Sequence, residues 1–165
     1  MQTKFNSLLL LFSCSIIFAS CSNSFPSGFW ENFHEELITK NESNQGALGG
    51  TLKIHWKAKS TESFSENELL DFAAKNDWTQ VDSFIINENI TNDSTYIKLR
   101  RDDYSFELLR SEVLTKEKFE GWKLIIFKTP WMLVDLKDTG ETFENGFALL
   151  NPSKTELKII HFWGE

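Results

Sequence analysis

Three histidines, His34, His55 and His161, are the side chains of this sequence that could exchange protons or bind metals near neutral pH. His34 begins the tetrapeptide H-E-E-L, but Ile38 stands where the zinc-protease pattern H-E-x-x-H requires its second histidine. His55 and His161 lie in strand-like segments and would meet only if those strands paired. We expect surface or hydrogen-bonded roles for them, and we predict no catalytic residue and no metal site.

The other patterns that carry chemistry are missing from the sequence. No serine stands in a G-x-S-x-G motif, and "GALGG" (residues 46–50) leads into a strand-like segment without the Lys-Ser of a phosphate loop. The carboxylate pairs Glu35-Glu36 and Asp102-Asp103 are adjacent in sequence, so their side chains point apart and indicate solvated charge. We expect no cofactor, and a noncatalytic protein is favoured over an enzyme.

The N-terminal residues 1–20 differ in composition from the rest of the chain. They carry one charge, Lys4, followed by the apolar stretch "SLLLLFSCSIIFAS". A short polar start, about a dozen apolar residues and small residues at the end are typical of a secretory signal peptide, and the apolar run is short for a membrane span. We predict that residues 1–20 are removed on export.

Phe18-Ala19-Ser20-Cys21 resembles the lipobox of bacterial lipoproteins, in which an apolar residue and two small residues precede the lipidated cysteine. The resemblance implies that Cys21 carries the lipid, with palmitate-type acyl chains, and anchors the chain to the membrane. Cys14 would be lost with the leader, leaving no free thiol in an oxidising compartment. Ordinary cleavage after Ala19 or Ser20, which would leave Cys21 as a free thiol, remains the alternative. The rest of the chain resembles no family.

Charge and composition restrict the partners of the domain. All 24 acidic residues follow the leader, as do all of the 17 basic residues except Lys4, so the mature chain has a net charge of −8. There is no basic stripe to pair with phosphates, and nucleic acid is therefore not expected as a partner. The 41% hydrophobic content indicates a globular domain, and 165 residues leave room for one.

Comparison with lipoprotein sorting signals indicates a location. Ser22 follows the cysteine, whereas an Asp at that position retains enterobacterial lipoproteins in the inner membrane, and the acidic run that resembles a surface-export signal is missing. The resemblance therefore implies the periplasmic face of the bacterial outer membrane. Asp93-Ser94-Thr95 also resembles a short O-glycosylation motif, and the sequence does not decide whether it is glycosylated.

Residues 21–28 are predicted to form the lipidated cysteine and a tether, and residues 29–165 a single domain. Phe29, Trp30, Phe33 and Leu37 have helical spacing and indicate a short helix over about 29–39. Residues 41–50, "NESNQGALGG", have the composition of a loop.

A second helix is predicted over residues 66–76. Ser65 and Glu68 have the spacing of a capping box, and Phe64 and Leu69 have that of a hydrophobic staple. Alternating or doubly apolar segments predict strands, namely 51–59, 79–87, 94–102, 104–109, 122–128, 131–137 and a closing hairpin over 146–163. The pattern predicts an α+β fold with one mostly antiparallel sheet and a helix packed on it.

Three classes of function remain open on this sequence. A lipid-anchored, noncatalytic binding or accessory module of the cell envelope, with an envelope protein or glycan as partner, fits the anchor and the missing catalytic set. An envelope enzyme with an unrecognised site and an inhibitor or immunity-type protein with an acidic surface are the alternatives.

Overall fold

The computed structural model describes residues 26–59, 61–86, 104–115, 117–135 and 140–165. The elements within these ranges are β1 (Ile38–Gln45), β2 (Gly49–Lys57), α1 (Glu66–Ala74), β3 (Thr79–Ile85), α2 (Tyr104–Leu109), β4 (Lys123–Lys128), β5 (Leu133–Asp135), β6 (Gly140–Thr142), β7 (Gly146–Leu150) and β8 (Glu156–Gly164). The strands form one sheet in the order β1-β2-β8-β7-β4-β3, with antiparallel neighbours throughout. β5 pairs with β6 and meets β8 at one parallel bridge. The predicted α+β fold with a mostly antiparallel sheet is confirmed.

β8 lies at the centre of this sheet, and its antiparallel pairing with β7 confirms the predicted C-terminal hairpin. It pairs with β2 over nine residues and with β7 over five. The turn into β8 is held by the Asn151 side chain, whose Oδ1 accepts hydrogen bonds from the N–H groups of Thr155 at 2.8 Å and Glu156 at 3.0 Å. Lys154 in this turn has a φ of 58°, which a turn residue can adopt at modest cost.

One face of the sheet, here called the first face, carries an aromatic core. Trp56 of β2 is fully buried, and its indole N–H donates to the Phe33 carbonyl oxygen at 2.6 Å. Trp30, Trp78 and α1 cover the same face. The helix predicted over about 29–39 is wrong: two short 3-10 helices, Gly28–Asn32 and Glu35–Leu37, precede β1, because aromatic packing on the sheet determines this backbone rather than helical periodicity.

The opposite side, the second face, is covered by α2 and by the π-helical turn Arg110–Leu114 that continues it. Phe106, Leu109 and Val113 are buried there with Leu149 of β7. The strand predicted over 104–109 is therefore wrong. The buried side chains Phe106, Leu109 and Val113 are instead spaced i, i+3 and i+7, as on one side of a helix, whereas residues at i and i+2 of a helix point to different sides.

The loop predicted over residues 41–50 is also wrong, because β1 and β2 pair from Ile38↔Trp56 to Gln45↔Gly50. Every β1 residue after Ile38 is exposed, so no apolar alternation marks this strand in the sequence. The backbone ladder to β2 stabilises it instead. The strand predicted over 94–102 lies outside the described residues.

The capped helix is confirmed, although it ends at Ala74 rather than at residue 76. Ser65 has extended backbone angles, and its Oγ accepts a hydrogen bond from the Glu68 N–H at 3.4 Å. Phe64 and Leu69 are buried in the same cluster, as a hydrophobic staple requires. Among the described residues no helix has the length and apolar character to cross a bilayer.

The variant Ser65→Ala is expected to lower the free energy of unfolding by about 1 kcal/mol, because it removes the N-cap acceptor of α1. Urea denaturation followed by circular dichroism measures this change. Ser63→Ala is the matched control, since Ser63 is an exposed serine outside the helix, and it should change stability by less than about 0.5 kcal/mol. Equal midpoints for the two variants would contradict the cap.

Candidate functional site

The described residues do not cover the second face evenly, and the part that they leave open forms a groove. The floor consists of three rows of side chains that cross β1, β2 and β8 in register: Lys40/His55/Lys158, Glu42/Lys53/Ile160 and Asn44/Thr51/Phe162. Partners in a row lie on the same face, because paired residues of antiparallel strands share a side of the sheet. We call this region the polar groove.

The wall of the polar groove is α2 with its π-helical continuation. Tyr104, Leu108 and Glu112 line the wider part, which has a volume of about 910 Å³. A narrower part of about 470 Å³ continues past Glu112 and Glu117. A π-helical turn widens the helix locally and occurs frequently at functional sites, and here it carries Glu112 to the edge of the groove.

Opposite charges are paired along the polar groove. The Lys53 Nζ lies 3.5 Å from the Glu112 Oε2, so this ion pair connects the floor to the wall. Lys158 likewise forms an ion pair with Glu117, and Lys40 with Glu42 at 2.9 Å between Nζ and Oε1. Such part-exposed pairs contribute little stability individually. They are available to exchange partners with a charged ligand at small cost.

His55 lies at the narrow end of the groove. Its Nε2 is 3.5 Å from the Glu156 Oε2, but these two atoms do not have hydrogen-bond geometry. No other described group forms a hydrogen bond with the His55 Nε2. Burial lowers the pKa of His55, and the positive charge of Lys158 lowers it further, while Glu156 acts in the opposite direction. The imidazole is therefore neutral at pH 7 and can act as a hydrogen-bonding group of the groove.

His161 lies on the first face, so the sheet separates it from His55. Its ring packs between Trp78 and Trp163, each at 5.0 Å between ring centroids, and it is fully buried. The Nδ1 atom forms a hydrogen bond with the Ser27 Oγ, and the Nε2 atom lies 3.3 Å from the Thr129 Oγ1.

These contacts belong to a buried chain of hydrogen bonds that has one consistent direction. The Asn145 Nδ2 donates to the Trp131 carbonyl oxygen at 2.7 Å, and the Thr129 hydroxyl donates to the Asn145 Oδ1 at 2.7 Å. The Thr129 oxygen then accepts from the Nε2–H of His161, and the free Nδ1 accepts from Ser27. This assigns the Nε2–H tautomer, by the requirement that every donor finds an acceptor.

Burial lowers the pKa of His161 to about 3, in agreement with this neutral tautomer. Serine hydrolases also use a serine hydroxyl that is hydrogen-bonded to a histidine. Here, however, a threonine stands in place of the carboxylate that orients the histidine, and Ser27 is buried. The polar groove lies on the other face. We interpret this series of hydrogen bonds as a structural contact that fixes the N-terminal segment to the sheet, and we call it the Ser27–His161 latch.

The remaining candidates from the sequence are dispersed. His34 is at the surface, with its Nε2 3.2 Å from Glu68 and its Nδ1 3.7 Å from Glu36. Cys21, Asp93-Ser94-Thr95 and Asp102-Asp103 lie outside the described residues. Within those residues no group of three or more His, Cys, Asp or Glu side chains is placed to hold a metal ion.

Sequence reasoning missed both clusters. The latch joins residues separated by up to 134 positions, and the groove depends on which strands are neighbours. Only the alternation of β2, which puts Lys53, His55 and Lys57 on one face, indicated a polar surface there.

No family model, no curated protein and no solved structure matches this chain.

The latch predicts a pH dependence of stability. The pKa of His161 is about 3 in the folded chain and near 6.5 when unfolded, so its contribution is complete above pH 6.5 and decreases as the pH falls, because only the unfolded chain takes up the proton. From pH 7 to pH 5 the free energy of unfolding is expected to fall. Below pH 6.5 the slope of this fall approaches about 1.4 kcal/mol per pH unit. Urea denaturation at each pH measures this loss.

His161→Gln should reduce the pH slope, and His34→Gln, which keeps His161, should retain it. His55 also has a lowered pKa, so part of the slope remains in both variants. In the wild-type protein, the NMR signals of the His161 ring should not titrate between pH 8 and 5. A ring that titrates near 6.5 would contradict the buried neutral assignment.

The variant Ser27→Ala is expected to lower the free energy of unfolding by about 1–3 kcal/mol, because it leaves the buried Nδ1 of His161 without its donor. Ser27 has a φ of 65°, and an alanine at this position has the same backbone strain. The strain therefore does not contribute to the difference in unfolding free energy between the variant and the wild type. Ser111→Ala, which removes an exposed hydroxyl bonded to the Leu108 carbonyl, is the control and should cost less. Equal unfolding free energies would overturn the latch.

Proposed function

We propose that this protein is a lipid-anchored, noncatalytic binding module of the bacterial cell envelope, and that the polar groove holds an extended segment of an envelope protein. The polar groove is the observation that carries this proposal. It is about 910 Å³ in its wider part, open, and lined by both signs of charge.

A polypeptide segment suits this lining better than a glycan. Its own carboxylate and ammonium groups can replace partners in the Lys53–Glu112 and Lys40–Glu42 pairs, which are already only part-buried. Sugar rings would instead need exposed aromatic faces to stack on. In the described lining Phe162 and Trp163 are buried, and only the half-buried Tyr104 remains.

The anchor follows from Phe18-Ala19-Ser20-Cys21, and the proposed location is the periplasmic face of the outer membrane. Two or more acyl chains on Cys21 hold the chain stably at the bilayer. Confinement raises the effective concentration of a partner that is held at the same membrane. Weak binding in the polar groove is therefore sufficient for function.

Cells labelled with a fatty-acid analogue should incorporate it into the wild-type chain and not into Cys21→Ala. Cys14→Ala is the matched control, because it removes the leader cysteine, and it should keep the label. In-gel detection of the tagged band measures the result. Incorporation of the label into Cys21→Ala would contradict the proposed anchor.

A photo-reactive amino acid at Asn44, on the groove floor, should crosslink the full-length protein in cells to one envelope protein of defined mass. The control carries the same group at Gln80, which is exposed on β3 at the other edge of the sheet. This variant should not crosslink to that protein. Glycan adducts, or equal adducts at both positions, would contradict a peptide-binding groove.

A further inference from the structure

Exposed apolar side chains gather at one end of the sheet. This is the end at which β4 and β8 finish and β7 begins, and we call it the tether end. Trp131 is 44% exposed, Met132 39% and Phe143 37%. Leu133 pairs with Thr142 in the β5–β6 register, so Met132 and Phe143 flank the same end of that strand pair. Leu48, 69% exposed, lies in the β1–β2 turn at the same end, where its carbonyl oxygen accepts from the Glu165 N–H.

The chain enters the domain at this same end. Ser27 is bonded to His161, and only that imidazole ring and the Thr129 hydroxyl separate it from the Trp131 carbonyl oxygen. Six residues from Cys21 to Ser27 can extend to at most about 20 Å. A lipid on Cys21 therefore holds the tether end within about 20 Å of the bilayer.

We propose that Trp131, Met132 and Phe143 form a membrane-docking surface that inserts into the bilayer interface beside the lipid anchor. Tryptophan is suited to this depth, because its apolar ring is buried while its indole N–H stays hydrated, and Met132 and Phe143 add apolar area beside it. The exposed Lys128, whose Nζ lies 5.9 Å from the Phe143 ring centroid, can extend its ammonium to the headgroups. Because the domain is acidic, the surface docks through apolar contact and suits zwitterionic lipid.

This inference rests on the proposed anchor at Cys21, and one experiment separates the two. The full lipidated chain is incorporated into phosphatidylcholine vesicles with or without dibrominated acyl chains, which quench nearby tryptophan fluorescence. Brominated lipid should quench part of the wild-type emission, and Trp131→Phe should lose that quenching. Trp122→Phe is the matched control and should retain it, because Trp122 adjoins the start of β4, at the far end of the sheet.

A photo-reactive amino acid at Met132 provides a second measurement in cells, and it should yield lipid adducts. Protein adducts at Met132, or vesicles that carry the chain without quenching through Trp131, would overturn the docking surface and leave the anchor intact. A chain that does not float with the vesicles would overturn the anchor, and the docking surface with it.

Discussion

The pairing of β8 with β2 on one side and with β7 on the other is the interaction on which the described structure depends. β8 is the strand that joins the β1-β2 pair to the β7-β4-β3 part of the sheet. Its side chains are buried in both directions, with Leu157 and Ile159 in the aromatic core and Ile160 and Phe162 against the α2 side. Both the latch, through His161, and the groove floor, through Lys158, are built on this strand.

The two faces differ in what covers them. The first face has a deep layer of rings, in which Trp30 meets both Trp56 and Trp78 edge to face, and such pairs add stability beyond the apolar burial itself. In the part of the chain that the structure describes, the second face is covered by α2 and its π-helical continuation, which leave β1 and much of β2 open. The polar groove is thus the space between β1-β2 and the wall formed by α2 and its continuation, and the ion pairs at its edge fill part of that space.

The sequence predicted those elements in which local and tertiary requirements agree. α1 is an example, because the Ser65 cap, the Phe64–Leu69 staple and the apolar side all indicate one helix. β1 and α2 were misassigned because tertiary context determines them. The polar β1 is stabilised by a neighbouring strand, and the alternation at Tyr104, Phe106 and Leu108 was too short to distinguish a strand from a helix. Neither cluster of the candidate site was predictable, since each joins strands whose order no single segment reveals.

The turn held by Asn151 lies at the opposite end of β8 from the tether end. β8 runs from this turn to the tether end, and nine extended residues cover about 30 Å. In the proposed orientation this turn is the end of β8 farthest from the lipid, and the Asn151 side-chain hydrogen bonds hold its backbone. In that orientation the length of β8 would set the distance between the lipid and a partner that contacts this turn.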